Sequence, residues 1–377
     1  MQEILREATA RTQSMVELLR ALVQIESPSD DPAGVAAAGE RLRSEFDAAG
    51  LTTDLLPAPG VGPILRARGG TGRRPIMLLG HIDTVWPLGT LKARPVRIEG
   101  DVFHGPGAYD MKAGLVVALF AIRALAERGL LPAVTAFFTP YEEVDCEAYK
   151  QELLAEMRAC RAVLDFEPAA PGGGVKTGRK GSGTFVLRAH GKAAHAGAEL
   201  ANGRNAILEL SRRILEVDAL TSAETGASVN VGVIRGGTRP NVVPEFAEAE
   251  IDVRYPSWNV GRGVEQRLRD LQPELDGVRL ELTGALHYPP LERNAAVLGV
   301  YEDARSVAAE LGADLGEIQT GGASEAAFAS ELGLPTLDGL GADGAGAHAE
   351  HEHVLISSLA PRVALTAGLL ARLGARE

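Results

Sequence analysis

The feature that most constrains the fold is the alternation of helix and strand patterns over residues 1–178. Helical patterns cover Gln2 to Leu22, Val35 to Ala49, Met111 to Arg128 and Cys146 to Met157. Short apolar strands are predicted between them, at Ile76 to Leu79, Val134 to Thr139 and Ala162 to Phe166. Helices that alternate with buried strands usually pack on the faces of a mainly parallel sheet. The sequence therefore predicts an α/β domain.

A Gly- and Pro-rich stretch at residues 168–183 interrupts this alternation. From there to Thr283 the predicted order is strand, helix, strand, strand, helix, strand, which is the ferredoxin-like α+β order. Within it, FAEAEIDVR alternates apolar and charged residues, as a strand with one wet face does. The alternation of helix and strand patterns that is seen over residues 1–178 resumes after residue 286. We predict one α/β domain formed by residues 1–178 and 287–377, with an inserted α+β domain at 179–286.

Composition and charge argue against several classes of protein. The formal net charge is −12 and no strong basic patch is present, so we expect no binding to nucleic acid or to an anionic membrane. Cys146 and Cys160 are too few for a disulfide framework. The N-terminal helix carries acids where a signal peptide needs an apolar block, and no run approaches about 18 apolar residues. We expect a soluble, cytoplasmic protein.

His81 and Asp83 stand just where a buried strand is predicted to end, in MLLGHIDTVWP. Residues i and i+2 of a strand point to the same side, and α/β sheets place ligands at the carboxyl ends of their strands. A metal-bound imidazole usually donates its other N–H to a carboxylate, which suits Asp83. Taken alone, the pair is more often a strand-end His beside a turn-forming Asp.

Further carboxylates follow neighbouring elements. Asp110 precedes a long apolar helix, Glu142 and Glu143 end a strand, and Glu167 ends another. Each has an ordinary alternative: an N-cap for Asp110 and a solvated turn for the Glu pair. In a cleft, a carboxylate such as Asp110 can bridge two cations, and of two adjacent acids one can bind metal while the other transfers protons. The stretch around Asp110 is no phosphate loop, because Met111 stands where that motif needs Gly.

His348 is the last candidate and lies in a Gly-rich loop, GADGAGAHAEHEHV. The alternative is a flexible polar loop, which is our interpretation of His351 and His353. The nearby GLGADG fits a dinucleotide-binding pattern, but no apolar helix follows and no acid stands about 20 residues later. Together, two His and three carboxylates at strand ends and helix starts match a mixed N/O site for two divalent ions.

Eight segments in order resemble the M20 metallopeptidase family, nearest to its glutamate carboxypeptidase (carboxypeptidase G2-like) branch. The resemblance runs from about Gly80 to Ile356. The segments are GHIDTV, GPGAYDMKAG, TPYEEVD, DFEP, GKAAHAG, GGTRPNVVPEFAEAEIDVR, TGGASEAAF and GAHAEHEHV. The resemblance implies a di-zinc catalytic domain with an inserted lid through which two subunits form a homodimer. It implies two divalent ions per subunit, Zn²⁺ by default with Co²⁺ or Mn²⁺ as alternatives.

The resemblance also implies a role for each matching residue. Asp110 would bridge the metals, with His81 and Glu167 on one ion and Glu143 and His348 on the other. Glu142 would be the general base, Asp83 would orient His81, and His195 would reach into the partner subunit's site. Without the resemblance, His195 would be a surface His in a turn of small residues. The implied substrate-side residues are Asn241, Arg254, Gly321 and Gly322. Arg254 suits a substrate carboxylate, and a cross-strand pair with the neighbours of Asp252 is an equal alternative.

The implied activity is hydrolysis of an amide bond that releases a C-terminal amino acid, such as glutamate, from a peptide or N-acyl amino acid. One alternative is a deacylase of the same family that acts on N-acyl, N-succinyl or N-acetyl amino acids. The alternative of another class is a catalytically silent protein that binds amino-acid amides. The chain departs from the family pattern at Tyr141, at Val144-Asp145-Cys146 and at Glu325, where Asp is frequent. None of these removes a predicted metal ligand.

Overall fold

The computed structural model describes residues 1–376, and the chain divides into two units. Unit 1 consists of Met1–Thr177, Arg293–Gln319 and the chain from Leu332 onward, and unit 2 of Gly178–Glu292 and Thr320–Glu331. The sequence-based division differs in assigning all of 287–377 to the first domain. Residues 287–292 and 320–331 belong to unit 2 instead. The second of these segments contains a helix of only six residues, too short for its periodicity to indicate where it packs.

The helices and strands have the following bounds. The helices are α1 (Gln2–Ala10), α2 (Thr12–Val23), α3 (Pro32–Ala48), α4 (Thr90–Ala93), α5 (Ala113–Ala126), α6 (Lys150–Ala159), α7 (Ala206–Asp218), α8 (Trp258–Arg269), α9 (Ala295–Glu310), α10 (Ala326–Glu331) and α11 (Ile356–Gly374). The strands are β1 (Thr52–Leu56), β2 (Ile64–Gly69), β3 (Thr71–His81), β4 (Arg97–Glu99), β5 (Val102–His104), β6 (Pro132–Thr139), β7 (Ala162–Asp165), β8 (Val175–Arg179), β9 (Gly181–His190), β10 (Ser228–Gly236), β11 (Phe246–Tyr255), β12 (Arg279–Tyr288), β13 (Glu317–Thr320), β14 (Thr336–Leu337), β15 (Gly344–Ala345) and β16 (His353–Leu355). A π-helical turn, Ala108–Lys112, precedes α5, and a 3₁₀ turn covers Leu200–Asn202.

Unit 1 contains a six-stranded sheet in the order β1-β2-β6-β3-β7-β14. β6, β3, β7 and β14 run parallel, while β1 and β2 form an antiparallel edge. In the register, His81 is opposite Thr139 and Leu79 is opposite Asp165. The carboxyl ends of β3, β6 and β7 therefore meet at one edge. The predicted α/β fold with a mainly parallel sheet is confirmed.

Helix α5 is packed tightly against the end of β7. Nearly all of its residues are buried, so it is apolar on every side rather than amphipathic. A Cβ at Gly114, in its first turn, would lie 2.0 Å from the carbonyl oxygen of Phe166. Only glycine allows this approach, which brings the turn containing Asp110 next to the segment containing Glu167.

Unit 2 contains an antiparallel sheet in the order β10-β11-β9-β12, with α7 and α8 packed on one face. Its elements follow the chain as strand, helix, strand, strand, helix, strand, which is the predicted ferredoxin-like order. After the exposed Phe246, the apolar residues of β11 are buried and the intervening charged ones are partly exposed, as the alternation predicts. The buried apolar residues are Ala247, Ala249, Ile251 and Val253.

Helix α11 has the length and hydropathy of a membrane-spanning helix, although it contains no unbroken run of about 18 apolar residues. An 18-residue stretch of this helix has a mean hydropathy of 1.2, and 67% of that stretch is buried in the structure. The helix packs against α1, α5 and α9 in unit 1. Its apolar residues are interrupted by Arg362 and by hydroxyl side chains, so a search for an unbroken apolar run does not find it.

Cys146 and Cys160 are free and buried. Burial raises the pKa of the Cys160 thiol to about 12, which makes it unreactive at neutral pH. The cytoplasmic location and the lack of nucleic-acid binding stay predictions.

Candidate metal centre

The five predicted metal ligands lie together in unit 1. His81 ends β3, Asp110 lies in the turn before α5, Glu143 and Glu167 follow β6 and β7, and His348 lies between β15 and β16. The first four are placed by the meeting of the parallel strand ends and the start of α5. His348 comes from a separate small sheet, in the order β15-β16-β5-β4.

Asp110 stands between the two imidazoles. Its Oδ1 lies 3.3 Å from His81 Nε2, and its Oδ2 lies 3.3 Å from His348 Nε2. His81 Nε2 is also 3.5 Å from Glu167 Oε1, and His348 Nε2 is 3.0 Å from Glu143 Oε2. The ligand atoms thus form two groups, His81 with Glu167 and His348 with Glu143. Both groups share the Asp110 carboxylate. This is the grouping that the resemblance implies.

The residues present fit a pair of divalent cations. Glu143 Oε1 is buried and has no hydrogen-bond partner, although burying such an atom unpaired is costly. Ligand atoms of His81, Asp110 and Glu143 lie within 4.8 Å of one another. A set of imidazole nitrogens and carboxylate oxygens suits zinc and related borderline ions.

Protonation in this cluster is strongly perturbed. Burial raises the pKa of Glu143 to about 7. Hydrogen bonds to Asp110 and Glu143 raise the pKa of His348 to about 10. Burial opposes ionisation of Asp110, but its hydrogen bonds to His348 and His81 outweigh burial and hold its pKa below the usual range. The carboxylates therefore stabilise positive charge on the imidazoles, and a bound cation would take the place of those protons.

Asp83 does more than the sequence analysis assigned to it. His81 Nδ1 lies 3.0 Å from the Asp83 carbonyl oxygen and 3.4 Å from its Oδ1, so the carbonyl is the nearer partner. The Asp83 carboxylate is fully buried and accepts hydrogen bonds from Ser29 Oγ at 2.6 Å and from the backbone N–H groups of Glu142 and Glu143 at 3.1 and 3.2 Å. It therefore also fixes the backbone of the Glu pair.

Glu142 lies beside the cluster. One of its carboxylate oxygens is within 4.8 Å of ligand atoms of His81 and Glu167. Glu142 lies inside a turn that is closed by Asp145 N–H, which donates to the Tyr141 carbonyl at 3.2 Å. The departures from the family pattern at Tyr141, Val144 and Asp145 therefore lie in one turn that contains the acidic pair, and Glu142 stays close to the ligands.

The other predicted site residues belong to unit 2. His195 is exposed, and its Nδ1 accepts hydrogen bonds from the N–H groups of Gly197 and Ala198 at 3.1 and 3.0 Å. A neutral imidazole in this arrangement carries its proton on Nε2, which is then a hydrogen-bond donor. The Asn241 carbonyl accepts from Ala196 N–H at 3.0 Å, so Asn241 is held beside the His195 turn.

Arg254 and the two glycines have less specific surroundings. Arg254 Nε donates to both carboxylate oxygens of Asp252 on the same strand, at 3.2 and 3.0 Å, which is not the cross-strand pair that the sequence analysis kept as an alternative. A Cβ at Gly321 would meet no atom within 4 Å, and one at Gly322 would lie 3.5 Å from Arg179 Nη1, an ordinary contact. Packing within unit 2 therefore does not require glycine at either position.

Sequence analysis gave no role to Glu352, a buried carboxylate that contacts the Asp110 turn. It is 2% exposed and accepts hydrogen bonds from the indole of Trp86 and from three backbone N–H groups of the Asp110 turn. Its position in EHEH, among polar residues before β16, is typical of solvated loop residues. Its environment depends on a contact with residues more than 240 positions earlier, which no local pattern reveals.

A family model described as peptidase family M20/M25/M40 matches residues 77–372. The chain belongs to this family. It is 31% identical over 385 residues to carboxypeptidase G2 of Pseudomonas sp. (strain RS-16), covering 99% of this chain and 92% of that protein. It is 30% identical over 367 residues to a putative succinyl-diaminopimelate desuccinylase of Mycobacterium tuberculosis, covering 93% and 96%. The predicted M20 membership is confirmed, and this M20 protein is a hydrolase.

Solved structures support the fold. The Bacillus subtilis YXEP protein, described as a dinuclear metal binding peptidase from the M20 family, superposes with a TM-score of 0.71 at 18% identity, covering 98% of this chain and 99% of that one. At this identity the likeness shows the M20 fold alone. The metal dependence of this M20 protein follows from its family and from the candidate metal site.

Proposed function

We propose that this M20 hydrolase uses two divalent ions to cleave an amide bond and release a C-terminal amino acid, such as glutamate, from a peptide or N-acyl amino acid. The observation that carries the proposal is the placement of Asp110 within 3.3 Å of both His81 and His348. The similarity to carboxypeptidase G2 over nearly the whole chain supports this substrate class.

His81 and Glu167 would hold one ion, Glu143 and His348 the other, and Asp110 would hold both. Bound ions of this kind polarise a carbonyl group and lower the pKa of water towards 7. The ligand set favours Zn²⁺, and Co²⁺ and Mn²⁺ have affinity for the same donors. Asp83 would keep the His81 ring in place and hold the backbone of the acidic pair.

In this proposal Glu142 is the residue that transfers protons. Its carboxylate would accept a proton from the attacking water and deliver it to the leaving nitrogen. His195, with its proton on Nε2, would donate a hydrogen bond to the developing oxyanion, acting from the partner subunit. Asn241, Arg254, Gly321 and Gly322 would contact the substrate. Arg254 would grip a substrate carboxylate with the guanidinium edge that Asp252 does not occupy.

The second candidate function is deacylation of N-acyl, N-succinyl or N-acetyl amino acids, favoured by the 30% identity to the putative desuccinylase. The metal ligands and the proton carrier would be the same, so the two functions differ only in the group that the pocket accepts. The silent binding protein is disfavoured, because a binder has no use for a carboxylate such as Glu142 beside a metal cluster.

A panel assay separates these functions. We expect the purified protein with added zinc to release amino acid from N-acyl glutamates or from dipeptides with C-terminal glutamate, with smaller rates on N-succinyl and N-acetyl substrates. A chelator should abolish the activity and added metal should restore it. Free amino acid is measured by chromatography. Preference for the N-succinyl substrates would favour the deacylase, and no metal-dependent release from any substrate would favour the binder.

We also propose that the protein is a homodimer formed through unit 2. β10 is an edge strand of the unit 2 sheet, and an exposed edge is a ready template for pairing with a second chain. Apolar side chains exposed on α7, β10 and the start of β11 suggest a covered surface. These residues are Ile207, Leu208, Leu215, Val233, Ile234 and Phe246.

Charge placed on this surface should separate the subunits. Leu215 is 73% exposed and Ile234 is 55% exposed, so Leu215→Asp and Ile234→Asp leave the core of unit 2 intact. We expect each variant to halve the mass found by light scattering after size exclusion. Leu130→Asp, at a 62% exposed position of unit 1, is the matched control and should keep the wild-type mass. A monomeric wild type, or dimers that withstand both changes, would contradict the proposal.

A further inference from the structure

Glu352 accepts hydrogen bonds with both of its carboxylate oxygens. Oε2 accepts from Trp86 Nε1 at 2.7 Å and from Gly107 N–H at 2.8 Å. Oε1 accepts from Tyr109 N–H at 2.9 Å and from Asp110 N–H at 3.1 Å. Two oxygens that accept four bonds use about the full capacity of a carboxylate.

Each segment that meets at Glu352 carries a candidate metal ligand. Trp86 follows His81 by five residues, the turn from Gly107 ends in Asp110, and Glu352 follows His348 by four residues. These segments are separated in the sequence, and Trp86, Gly107 and Glu352 all lie outside the strands of the sheets. Glu352 is therefore a buried group that connects three segments. It accepts hydrogen bonds from the segments that contain His81 and Asp110, and it lies in the same segment as His348.

We propose that Glu352 is a positioning residue of the metal centre. Its bond to the N–H of Asp110 fixes the backbone from which the Asp110 carboxylate extends towards the two imidazoles. Its own backbone fixes the far end of the His348 loop. Glu352 thereby sets the separation of Asp110 and His348, on which binding of the second ion depends. This inference rests on the proposed two-ion function.

The surroundings of Glu352 leave little room for adjustment. Gly107 has a φ of 72°, and a Cβ there would lie 2.4 Å from Thr84 Cγ2, so the turn is packed directly against the segment after Asp83. The Arg94 guanidinium lies 3.8 Å from the Trp86 ring centroid and covers one face of the indole. All four groups that face the Glu352 carboxylate are N–H donors, so an amide in its place would turn a donor towards donors.

The alternative is that Glu352 only stabilises the fold, as Glu209 does in unit 2. Glu209 is fully buried and accepts from the N–H groups of Glu274 and Leu275 at 3.0 and 2.7 Å, and it provides a matched control. Support for neighbouring ligands commonly contributes about 10- to 100-fold to metal affinity. Metal affinity thus distinguishes a positioning role from a purely structural one.

The test is titration of metal-free Glu352→Gln and Glu209→Gln with Zn²⁺, together with thermal unfolding of each metal-free protein. We expect Glu352→Gln to raise the Kd of the weaker zinc site by about 10- to 100-fold and to lower kcat with little change in KM. Glu209→Gln should lower the unfolding temperature and leave the zinc Kd unchanged.

Wild-type zinc affinity in Glu352→Gln would overturn the inference alone. Failure of the wild type to bind two ions would overturn the proposed function and the inference with it. If Glu352→Gln does not fold, Trp86→Phe replaces it, because this change removes one donor and leaves the three backbone bonds. A weaker zinc site in Trp86→Phe would support the inference, and an unchanged one would overturn it.

Discussion

Replacing Glu142 with Gln is expected to lower kcat by roughly 10²- to 10⁴-fold, the usual contribution of a general acid–base group, while both metal ions stay bound. An amide of nearly the same shape cannot accept the proton of the attacking water or return it to the leaving nitrogen. The N–H of Glu142 would still donate to Asp83 at 3.1 Å, so the backbone of the acidic pair should not move.

The neighbouring residue provides the matched comparison. Glu143 Oε2 lies 3.0 Å from His348 Nε2, and its other oxygen is buried without a partner, so Glu143→Gln should lose metal as well as turnover. Metal content by mass spectrometry and kcat on the best substrate of the panel give the two readouts. Because a Glu142 oxygen also lies near His81 and Glu167, loss of an ion from Glu142→Gln would identify Glu142 as a ligand rather than the base.

Four of the five candidate ligands could be placed from sequence because each adjoins a predicted apolar strand or helix. His81, Glu143 and Glu167 come just after buried apolar strands, and Asp110 precedes a long apolar helix. Parallel strand ends converge whatever the loops do, so the pattern predicts their approach. His348 lies in a Gly-rich loop without this signal, so it was a candidate only in combination with the other four until the resemblance to the M20 family implied its role.

Contacts that depend on loop paths could not be predicted. The carboxylate of Asp83 was expected to serve His81 but also binds the backbone of the acidic pair, and Glu352 was given no role. Arg254 was equally suited to a substrate and to a neighbouring acid, and the structure pairs it with Asp252. For Asp83 and Glu352 the deciding partners are set by packing between segments rather than by periodicity, whereas Arg254 and Asp252 are neighbours on one face of the same strand.

Helix boundaries that depend on tertiary contacts could not be predicted from the sequence either. The pattern from Gln2 to Leu22 predicts one helix, but the structure has two, α1 and α2, which meet at Arg11. Arg11 has φ −99° and ψ 7°, and its side chain is bonded to Glu127 of the segment after α5. An apolar stripe continues through such a break, so the helical period cannot reveal it.

Removing the Asp110 carboxylate should have the largest effect on the metal centre. Asp110 is the one residue of the cluster within 3.3 Å of both imidazoles, so Asp110→Ala deprives both ions of a ligand at once. It also leaves His81 and His348 without an anion that raises the pKa of each through a hydrogen bond. We expect metal content to fall from two ions per subunit to none and hydrolysis to fall below detection.

Comparing Asp110→Ala with a variant that removes a ligand of one ion only, and with a control variant, tests this expectation. His348→Ala removes a ligand from one group only, so it should retain about one ion per subunit, held by His81, Glu167 and Asp110. Asp101→Ala is the control, since Asp101 accepts a hydrogen bond from Ser357 N–H at 2.8 Å and none from the ligand cluster. Metal content after dialysis against equal free zinc gives the readout. If Asp110→Ala and His348→Ala retained the same number of ions, Asp110 would belong to a single ion and the shared carboxylate would have to be another residue.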